Sequence, residues 1–367
     1  MTENGTHNRL RVLLIGAGRR IQNNFLPSLK CLDERFEVVG IHSRTAERLQ
    51  PVADRWRVPA VLSLDDVDFS AVDVAAISVP TLQNSFVLDK LRQVAGNVRI
   101  VIDTPMAWTP GEYTAIRRSI PYFKQMIVAE DYMNFPTFAL LRKAVNDGLI
   151  GKLQTVTLNN IGYLYHGLAL IRSFSGFKAA RRTWSRSAGW YSKIVGYDFG
   201  SYKAVVVGPY RRHSAGGITI EGSQGILTDF AYDAGVPDPG GRPTYLLKTR
   251  RETSGLLTGI SLENAGEGYS VELPDISKMA AMGIADTSDL NLQRGCGLMH
   301  VFRALLEPEN INNLYGPENA FYDSFVSRLA GKGLLPVDPF TWFGSDAMIG
   351  LRLAANLKSA GAGLKAK

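Results

Sequence analysis

The sequence predicts an α/β protein of two domains, the first built on a parallel sheet and the second on a large, mostly antiparallel open sheet. Two observations predict the first sheet. Short aliphatic runs alternate with amphipathic stretches through the first third of the chain, and a glycine-rich turn follows the first run. A third observation predicts the second sheet, because beyond residue 150 several strand patterns follow one another with few helical patterns between them.

Each element follows from hydrophobic periodicity. In the first domain, strands are predicted at residues 10–15, 36–41, 72–78, 98–102 and 125–129, and helices at residues 24–32, 45–56, 85–94 and 111–120. In the second domain, helices are predicted at residues 136–146, 292–306, 320–329 and 340–357, and strands at residues 153–159, 217–221, 226–230, 244–250 and 256–262. Residues 222–225 should form a hairpin turn, and residues 235–243 a loop.

Composition limits the class of protein. The chain has 367 residues, of which 45% are hydrophobic and 20% charged, and this excludes a disordered chain, a collagen-like chain and a coiled-coil rod. We place the first domain at residues 1–135 and the second at residues 136–367. The two cysteines, Cys31 and Cys296, exclude a disulfide framework, so a cytoplasmic location is expected. The apolar runs are too short for a membrane span or a signal segment.

The net charge of +7 is spread along the chain, so we expect no nucleic-acid partner. Cations do cluster with aromatic side chains at residues 178–193, and again at residues 210–213. Such a cluster suits an anionic or sugar-like small molecule. It would also suit single-stranded nucleic acid, or form a solvated loop at an oligomer rim. No His, Cys, Asp or Glu cluster has metal-ligand spacing, so no metal is expected.

The turn after the first strand predicts a Rossmann dinucleotide-binding domain. It reads Gly16-Ala17-Gly18-Arg19-Arg20-Ile21 and precedes a helix. The first glycine permits a tight turn, the second lets the backbone approach a pyrophosphate, and the helix start supplies N–H donors. Ile21 stands where the usual fingerprint has a third glycine. The alternative is that these glycines only make a βα turn.

The end of the second strand favours NADP over NAD, although NAD remains possible. An acidic residue there would accept from a ribose 2′-hydroxyl, but the sequence has Ser43 and Arg44. A hydroxyl and a guanidinium can instead hold a 2′-phosphate. Alternatively, Ser43 or Thr45 caps the next helix and Arg44 is solvated.

Five short segments extend this pattern along the chain: GAGRRIQNNFLPSL at residues 16–29, DVAAISVP at 73–80, VIDTP at 101–105, LIGKL at 149–153 and EGSQG at 221–225. Together these features resemble the glucose–fructose oxidoreductase, inositol dehydrogenase and rhizopine catabolism (Gfo/Idh/MocA) family. The resemblance implies an NAD(P)-dependent oxidoreductase whose first domain binds the dinucleotide and whose second domain, residues 136–367, binds substrate and forms a homo-oligomer. The exposed face of the C-terminal sheet would serve the active site or the oligomer contact. It places Val79 and Pro80 near the nicotinamide ribose, and Thr104 and Pro105 in the position of the family's Glu-Lys-Pro motif.

The sequence departs from the family at two polar positions, which predicts a variant active site. Thr104 replaces the motif's lysine and cannot act as a comparable acid. Gly162 stands four residues before His166, where the resemblance implies an aspartate.

Four residues are candidates for proton transfer. His166 is the first, because its intrinsic pKa lies near neutrality, and Tyr163 and Tyr165 flank it. Alternatively, His166 caps a helix or fills a polar core position. Glu130, with Asp131 beside it, follows the last strand of the first domain and could orient substrate or act as a base. The alternative is a helix-start acid favoured by the dipole.

The expected function is therefore NADP-preferring oxidation or reduction of a small polar carbonyl, alcohol or imine. A modified sugar or a natural-product intermediate in a biosynthetic step would fit. Two alternatives remain open. One is a non-oxidoreductase enzyme that uses the bound dinucleotide for transient oxidation. The other is a cofactor-binding regulator or assembly subunit without turnover.

Overall fold

The computed structural model describes residues 9–95, 97–187, 193–208, 215–229, 240–264 and 267–331. They divide into two compact units: the first comprises described residues within 9–107, 115–131 and 275–317, and the second those within 108–114, 132–274 and 318–331. The units are therefore not the two continuous ranges that the sequence predicts, because residues 275–317 pack in the first unit. The assignment of dinucleotide and substrate binding to separate domains remains a prediction.

Fifteen strands lie in the described chain, six in one sheet and nine in another. The strands are β1 (Leu10–Ile15), β2 (Phe36–His42), β3 (Ala60–Val61), β4 (Val74–Ile77), β5 (Arg99–Asp103), β6 (Gln125–Ala129), β7 (Leu153–Asn159), β8 (Arg182–Ser187), β9 (Lys193–Asp198), β10 (Lys203–Val207), β11 (Gly217–Gly222), β12 (Ile226–Thr228), β13 (Thr244–Arg251), β14 (Leu257–Asn264) and β15 (Glu267–Glu272). β1, β6 and β7 have the predicted bounds.

The helices follow the same chain order. They are α1 (Leu26–Cys31), α2 (Ala46–Trp56), α3 (Asn84–Val94), α4 (Pro110–Arg117), α5 (Pro136–Asn146), α6 (Leu164–Ser173), α7 (Pro274–Ala281), α8 (Asp289–Arg303) and α9 (Pro317–Gly331). A π-helical turn at Ile21–Phe25 leads directly into α1. Only α5 has the predicted bounds at both ends. The predicted helix at residues 340–357 lies outside the described residues.

The sheet of the first unit is wholly parallel, with strand order β3-β2-β1-β4-β5-β6. All four residues of β4 are completely buried. A continuous aliphatic run, such as the one that forms β4, suits a strand covered on both faces, as parallel strands are. This order confirms the predicted Rossmann architecture.

Helix α8 belongs to the first unit because it packs on α1 and on the π-helical turn that precedes it. The Ser28 hydroxyl donates to the Gly295 carbonyl at 2.8 Å, and the Asn24 amide donates to Asn291 Oδ1 at 2.9 Å. Phe302 packs edge-on against Phe25, with ring centroids 6.0 Å apart. These contacts bury α8 against an element more than 260 residues earlier in sequence, which no local pattern could reveal.

The sheet of the second unit has strand order β15-β14-β13-β12-β11-β7-β10-β9-β8. Its pairs are antiparallel except β7 with β10 and β12 with β13, so the predicted mostly antiparallel sheet is confirmed. The β11–β12 hairpin has its predicted turn, in which the Gly222 amide donates to the Gly225 carbonyl at 2.9 Å. The predicted loop at residues 235–243 lies largely outside the described residues.

Four strands of this sheet were not predicted: β8, β9, β10 and β15. The alternative of a solvated loop is wrong for Arg182–Ser187, because these residues form edge strand β8 and pair with β9. Trp184 covers Gly196 of β9, where any side chain would collide with the indole. Residues 188–192 and 209–214 of the cation-rich segments, including Trp190, Tyr191 and 210–213, lie outside the described residues.

Both cysteines are buried and unpaired thiols. Burial raises the pKa of Cys31 to about 11 and that of Cys296 to about 12. Within the described residues, every helix is too short or too polar to span a bilayer.

Candidate functional site

The turn between β1 and the following helix has the backbone that a dinucleotide site needs. Gly16 has a φ of +122°, and a Cβ built there would lie 2.2 Å from the Ser78 carbonyl oxygen. Only glycine fits this position. A Cβ at Gly18 would meet nothing within 4 Å, so the backbone faces open space at the helix start. Oriented N–H groups beside open space suit a pyrophosphate.

The turn lies at the point where the strand order reverses, between β1 and β4, and ligands of open α/β sheets bind at such a point. Other predicted cofactor residues come from the same edge of the sheet. Val79 and Pro80 follow β4, and Thr104 and Pro105 follow β5.

The two arginines and the isoleucine of the turn have different environments. Arg19 is exposed, Arg20 is partly buried, and Ile21 is completely buried. Ile21 therefore packs in the core beneath the turn, where the usual third glycine would leave space.

The end of β2 presents a hydroxyl and a guanidinium. Arg44 is exposed, and Ser43 is partly buried, with its Oγ accepting from the Thr45 amide at 3.4 Å. Thr45 is the N-cap residue of α2, although its side chain makes no capping bond. His42 bonds through Nδ1 to the Val61 carbonyl at 3.0 Å. Burial, assisted by the charge of Arg44, lowers the pKa of His42, although the bond to Val61 opposes this shift.

Arg20 forms an ion-pair network at the carboxyl ends of β5 and β6. Its Nε lies 3.3 Å from Asp103 Oδ1 and its Nη2 lies 2.7 Å from Asp131 Oδ2. Its Nη1 donates to Asn24 Oδ1 at 3.0 Å. Asp103 also accepts from the Ser78 hydroxyl at 2.8 Å. Arg19 and Arg20 are predicted, as residues of the glycine turn, to belong to the cofactor site, and in the structure the guanidinium of Arg20 pairs with these two carboxylates.

Burial and the nearby Asp131 raise the pKa of Asp103, although Arg20 and Ser78 oppose this shift. Burial works to lower the pKa of Arg20, but Asp103 and Asp131 outweigh it and raise that pKa above its ordinary value. Arg20 is therefore a permanent cation. It differs in this from a lysine, whose pKa shifts readily on burial.

Sequence reasoning did not identify this network. Asp103 was only the first residue of the variant motif, and Asp131 only the neighbour of Glu130. Their shared position, each at or just after the end of a parallel strand, is the signal that could have linked them. Glu130 itself is completely buried in the first unit.

In the second unit, the structure brings His166, Tyr163 and Tyr165 together at the start of α6. The rings of Tyr165 and His166 lie 4.2 Å apart, and those of Tyr163 and His166 lie 5.8 Å apart. His166 also stacks on Tyr132 at 5.4 Å. Tyr163 is 36% exposed, whereas Tyr165 is 7% and His166 8% exposed. His166 is thus a nearly buried ring within an aromatic cluster, and Tyr163 is the more accessible group.

The turn that carries Tyr132 is fixed from α5. The buried Arg142 donates to the Met133 carbonyl at 2.8 Å and to Asn134 Oδ1 at 3.2 Å. Burial lowers the pKa of Arg142 to about 10. The Tyr132 hydroxyl donates to the Ala215 carbonyl. These bonds hold the Tyr132 ring against His166.

The described residues contain no group of three His, Cys, Asp or Glu side chains placed to hold a metal ion.

Comparison with known proteins agrees with this fold. Residues 10–121 match the model of an oxidoreductase family with an NAD-binding Rossmann fold, GFO_IDH_MocA. No curated protein sequence matches this chain.

Solved structures share the fold at low identity. An oxidoreductase from Agrobacterium radiobacter, in complex with NAD+, L-tartaric acid and magnesium, is 12% identical, covering 89% of this chain and 96% of its own, with a TM-score of 0.65. A levoglucosan dehydrogenase, in complex with NADH and levoglucosan, is 14% identical, covering 90% and 100%, with a TM-score of 0.62. The WlbA dehydrogenase from Bordetella pertussis, in complex with NADH and UDP-GlcNAcA, is 16% identical, covering 60% and 78%, with a TM-score of 0.51.

Proposed function

We propose, from the match of residues 10–121 to the Gfo/Idh/MocA family model and from the fold shared with solved oxidoreductases, that this protein is an NADP-preferring oxidoreductase. Its substrate would be a small polar carbonyl, alcohol or imine, such as a modified sugar or a natural-product intermediate. The observation that carries the proposal is the Gly16 turn at the reversal of a β3-β2-β1-β4-β5-β6 sheet. The sugar and sugar-acid ligands of the similar structures support this class of substrate.

When bound, a nicotinamide cofactor supplies the hydride. The chain must therefore bind the cofactor, orient the substrate against it, and donate or accept the proton. Gly16 and Gly18 give the backbone that approaches the pyrophosphate, and Arg19 adds an exposed cation beside it. His166 is the proposed proton donor or acceptor; its ring stacks on that of Tyr132 and lies at a tilt against that of Tyr165. Tyr163 is the alternative, because its side chain is more exposed.

Turnover tests the proposal. Purified protein with NADPH is assayed for loss of absorbance of the reduced cofactor against a panel of sugar aldehydes, keto sugars, keto acids and cyclic imines. The reverse reaction is assayed with NADP+ and polyols. The proposal predicts substrate-dependent turnover. Release of a leaving group without net cofactor change would point to transient oxidation, and binding without turnover across the panel to a regulator or assembly subunit.

Cofactor choice is tested at Arg44, whose guanidinium is exposed beside Ser43. A charge-assisted contact of ~1.5–3 kcal/mol corresponds to roughly 10- to 150-fold in affinity. We expect Arg44→Ala to lower the affinity for NADP+ by about this factor and the affinity for NAD+ only slightly, as measured by calorimetry. Arg117→Ala, which removes an exposed arginine from α4, is the matched control. Equal losses for NADP+ and NAD+ would show that Arg44 does not bind the phosphate.

A homo-oligomer in the cytoplasm is part of the proposal. Buried residues alternate with partly exposed ones along β7 and β11, so one face of these central strands stays partly exposed in the single chain. Sedimentation at several protein concentrations would detect the oligomer, and a constant monomer mass would contradict it.

A further inference from the structure

The ion-pair network of Arg20, Asp103 and Asp131 is not used by the proposed reaction. It lies at one edge of the parallel sheet, since Asp103 ends β5 and Asp131 comes two residues after β6. Arg20 reaches both carboxylates from the helix after β1, at 3.3 Å and 2.7 Å. The Arg20 side chain is 23% exposed, Asp103 16% and Asp131 2%. The network is therefore partly desolvated, and Asp131 is its most buried member.

The strand order indicates which part of a dinucleotide would lie over this edge. The proposed 2′-phosphate residues follow β2, on one side of β1, and the pyrophosphate turn follows β1 itself. A dinucleotide binds across the reversal point, so its nicotinamide half belongs to the other side, over β4, β5 and β6. That is the side that carries Asp103 and Asp131.

The charge of the network is unbalanced. Two carboxylates and one guanidinium leave one net negative charge, and the groups that bond to the network, the Ser78 hydroxyl, the Thr104 backbone N–H and the Asn24 side-chain amide, are neutral. An oxidised nicotinamide ring carries a positive charge, whereas the reduced ring is neutral. Within a partly desolvated site, a fixed negative charge therefore stabilises the oxidised form selectively.

We propose that the Arg20–Asp103–Asp131 network sets the preference of this protein between the oxidised and the reduced cofactor. The two carboxylates favour the oxidised form, and Arg20 limits that preference by cancelling one of them. Arg20 is thus a positioning residue that holds both carboxylates, and it does not transfer a proton. This inference rests on the proposed dinucleotide binding. It concerns the redox state of the bound cofactor, whereas the proposed function concerns the class of substrate.

The test measures the dissociation constants of NADP+ and NADPH by calorimetry at mildly alkaline pH, without substrate. The quantity compared is the ratio of the NADPH constant to the NADP+ constant. Arg20→Gln leaves two uncompensated carboxylates and should raise this ratio about tenfold. Asp131→Asn removes the net charge and should lower it about tenfold. The double variant Arg20→Gln/Asp131→Asn restores one net negative charge and should return the ratio close to the wild-type value.

Two further variants guard against misfolding and remote effects. Asp103→Asn changes the charge as Asp131→Asn does and replaces it if that variant fails to fold. Arg11→Gln removes an arginine at the opposite end of β1, where Arg11 pairs with Asp73 at 3.0 Å. It should leave the ratio unchanged.

Opposite shifts with recovery in the double variant would support the inference. If all network variants bind NADP+ and NADPH more weakly by the same factor, the inference is overturned and the network has a purely structural role. Failure of the wild-type protein to bind either dinucleotide would instead overturn the proposed function, and the inference with it.

Discussion

Two glycines of one turn serve different purposes at the scale of single residues. Gly16 has a positive φ, and its missing Cβ would overlap a backbone carbonyl at 2.2 Å. Gly18 faces open space. Gly16→Ala should therefore destabilise the protein by about 2 kcal/mol or more, and Gly18→Ala should change the melting temperature little. Similar melting temperatures for the two variants, measured by circular dichroism, would contradict this division of roles.

His166 is the residue on which the proposed proton transfer depends. A positioned general acid contributes about 10²–10⁴-fold in rate. We expect His166→Ala to lower turnover by about this factor and to leave the dissociation constant of NADP+ nearly unchanged. The control is Tyr165→Phe, which keeps the ring that lies 4.2 Å from His166. A His166→Ala enzyme with full turnover would exclude the histidine and favour Tyr163.

The sequence predicts which polar and aromatic residues lie at the candidate site, but not which of their side chains contact one another. Side chains of adjacent helical residues diverge by about 100°, so the sequence gives no reason to expect contact between the rings of Tyr165 and His166. The structure has their rings in contact, because both lie at the first turn of α6, beside Tyr132. Arg20 illustrates the same limit. Its partners follow it by 83 and 111 residues, and only the strand order brings them together.

At the scale of elements, a buried ion pair joins α6 to α9. Arg172 Nη1 lies 2.8 Å from Asp323 Oδ1, and the two side chains are 3% and 0% exposed. The guanidinium also lies 4.3 Å from the centroid of the Tyr322 ring. Removing one partner of such a pair leaves the other charge buried and uncompensated.

Asp323→Ala should therefore destabilise the protein by about 3–5 kcal/mol. Its control is Glu37→Ala, which breaks the Arg9–Glu37 pair, whose side chains are each 46% exposed. Glu37→Ala should lower the free energy of unfolding by no more than about 1 kcal/mol. Urea denaturation measures both, and comparable losses would contradict the importance assigned to burial.

Whether an element could be predicted from the sequence depends on whether local residues mark its ends or tertiary contacts define it. β1, β6, β7 and α5 could be placed to the residue because their apolar or alternating patterns are bounded by glycine, proline or polar residues. β8 could not, because its sequence Arg182-Thr183-Trp184-Ser185-Arg186 is polar on an edge strand whose burial depends on β9. Intrinsic β-propensity is weak against such tertiary context.

At the scale of the whole molecule, the two-sheet architecture could be predicted, but the allocation of the chain to the two units could not. Strand alternation and the glycine turn specify the parallel sheet locally. The return of residues 275–317 to the first unit depends on contacts such as Asn24 with Asn291 and Phe25 with Phe302, which are distant in sequence.

The central claim is that the Gly16–Gly18 turn binds a dinucleotide, and calorimetric titration with NADP+ and NAD+ tests it most directly. We expect saturable binding of one dinucleotide per chain, tighter for NADP+, and loss of binding in a folded Gly18→Asp variant, whose carboxylate would enter the open space above the turn. Absence of binding for both dinucleotides, or undiminished binding by Gly18→Asp, would contradict the account.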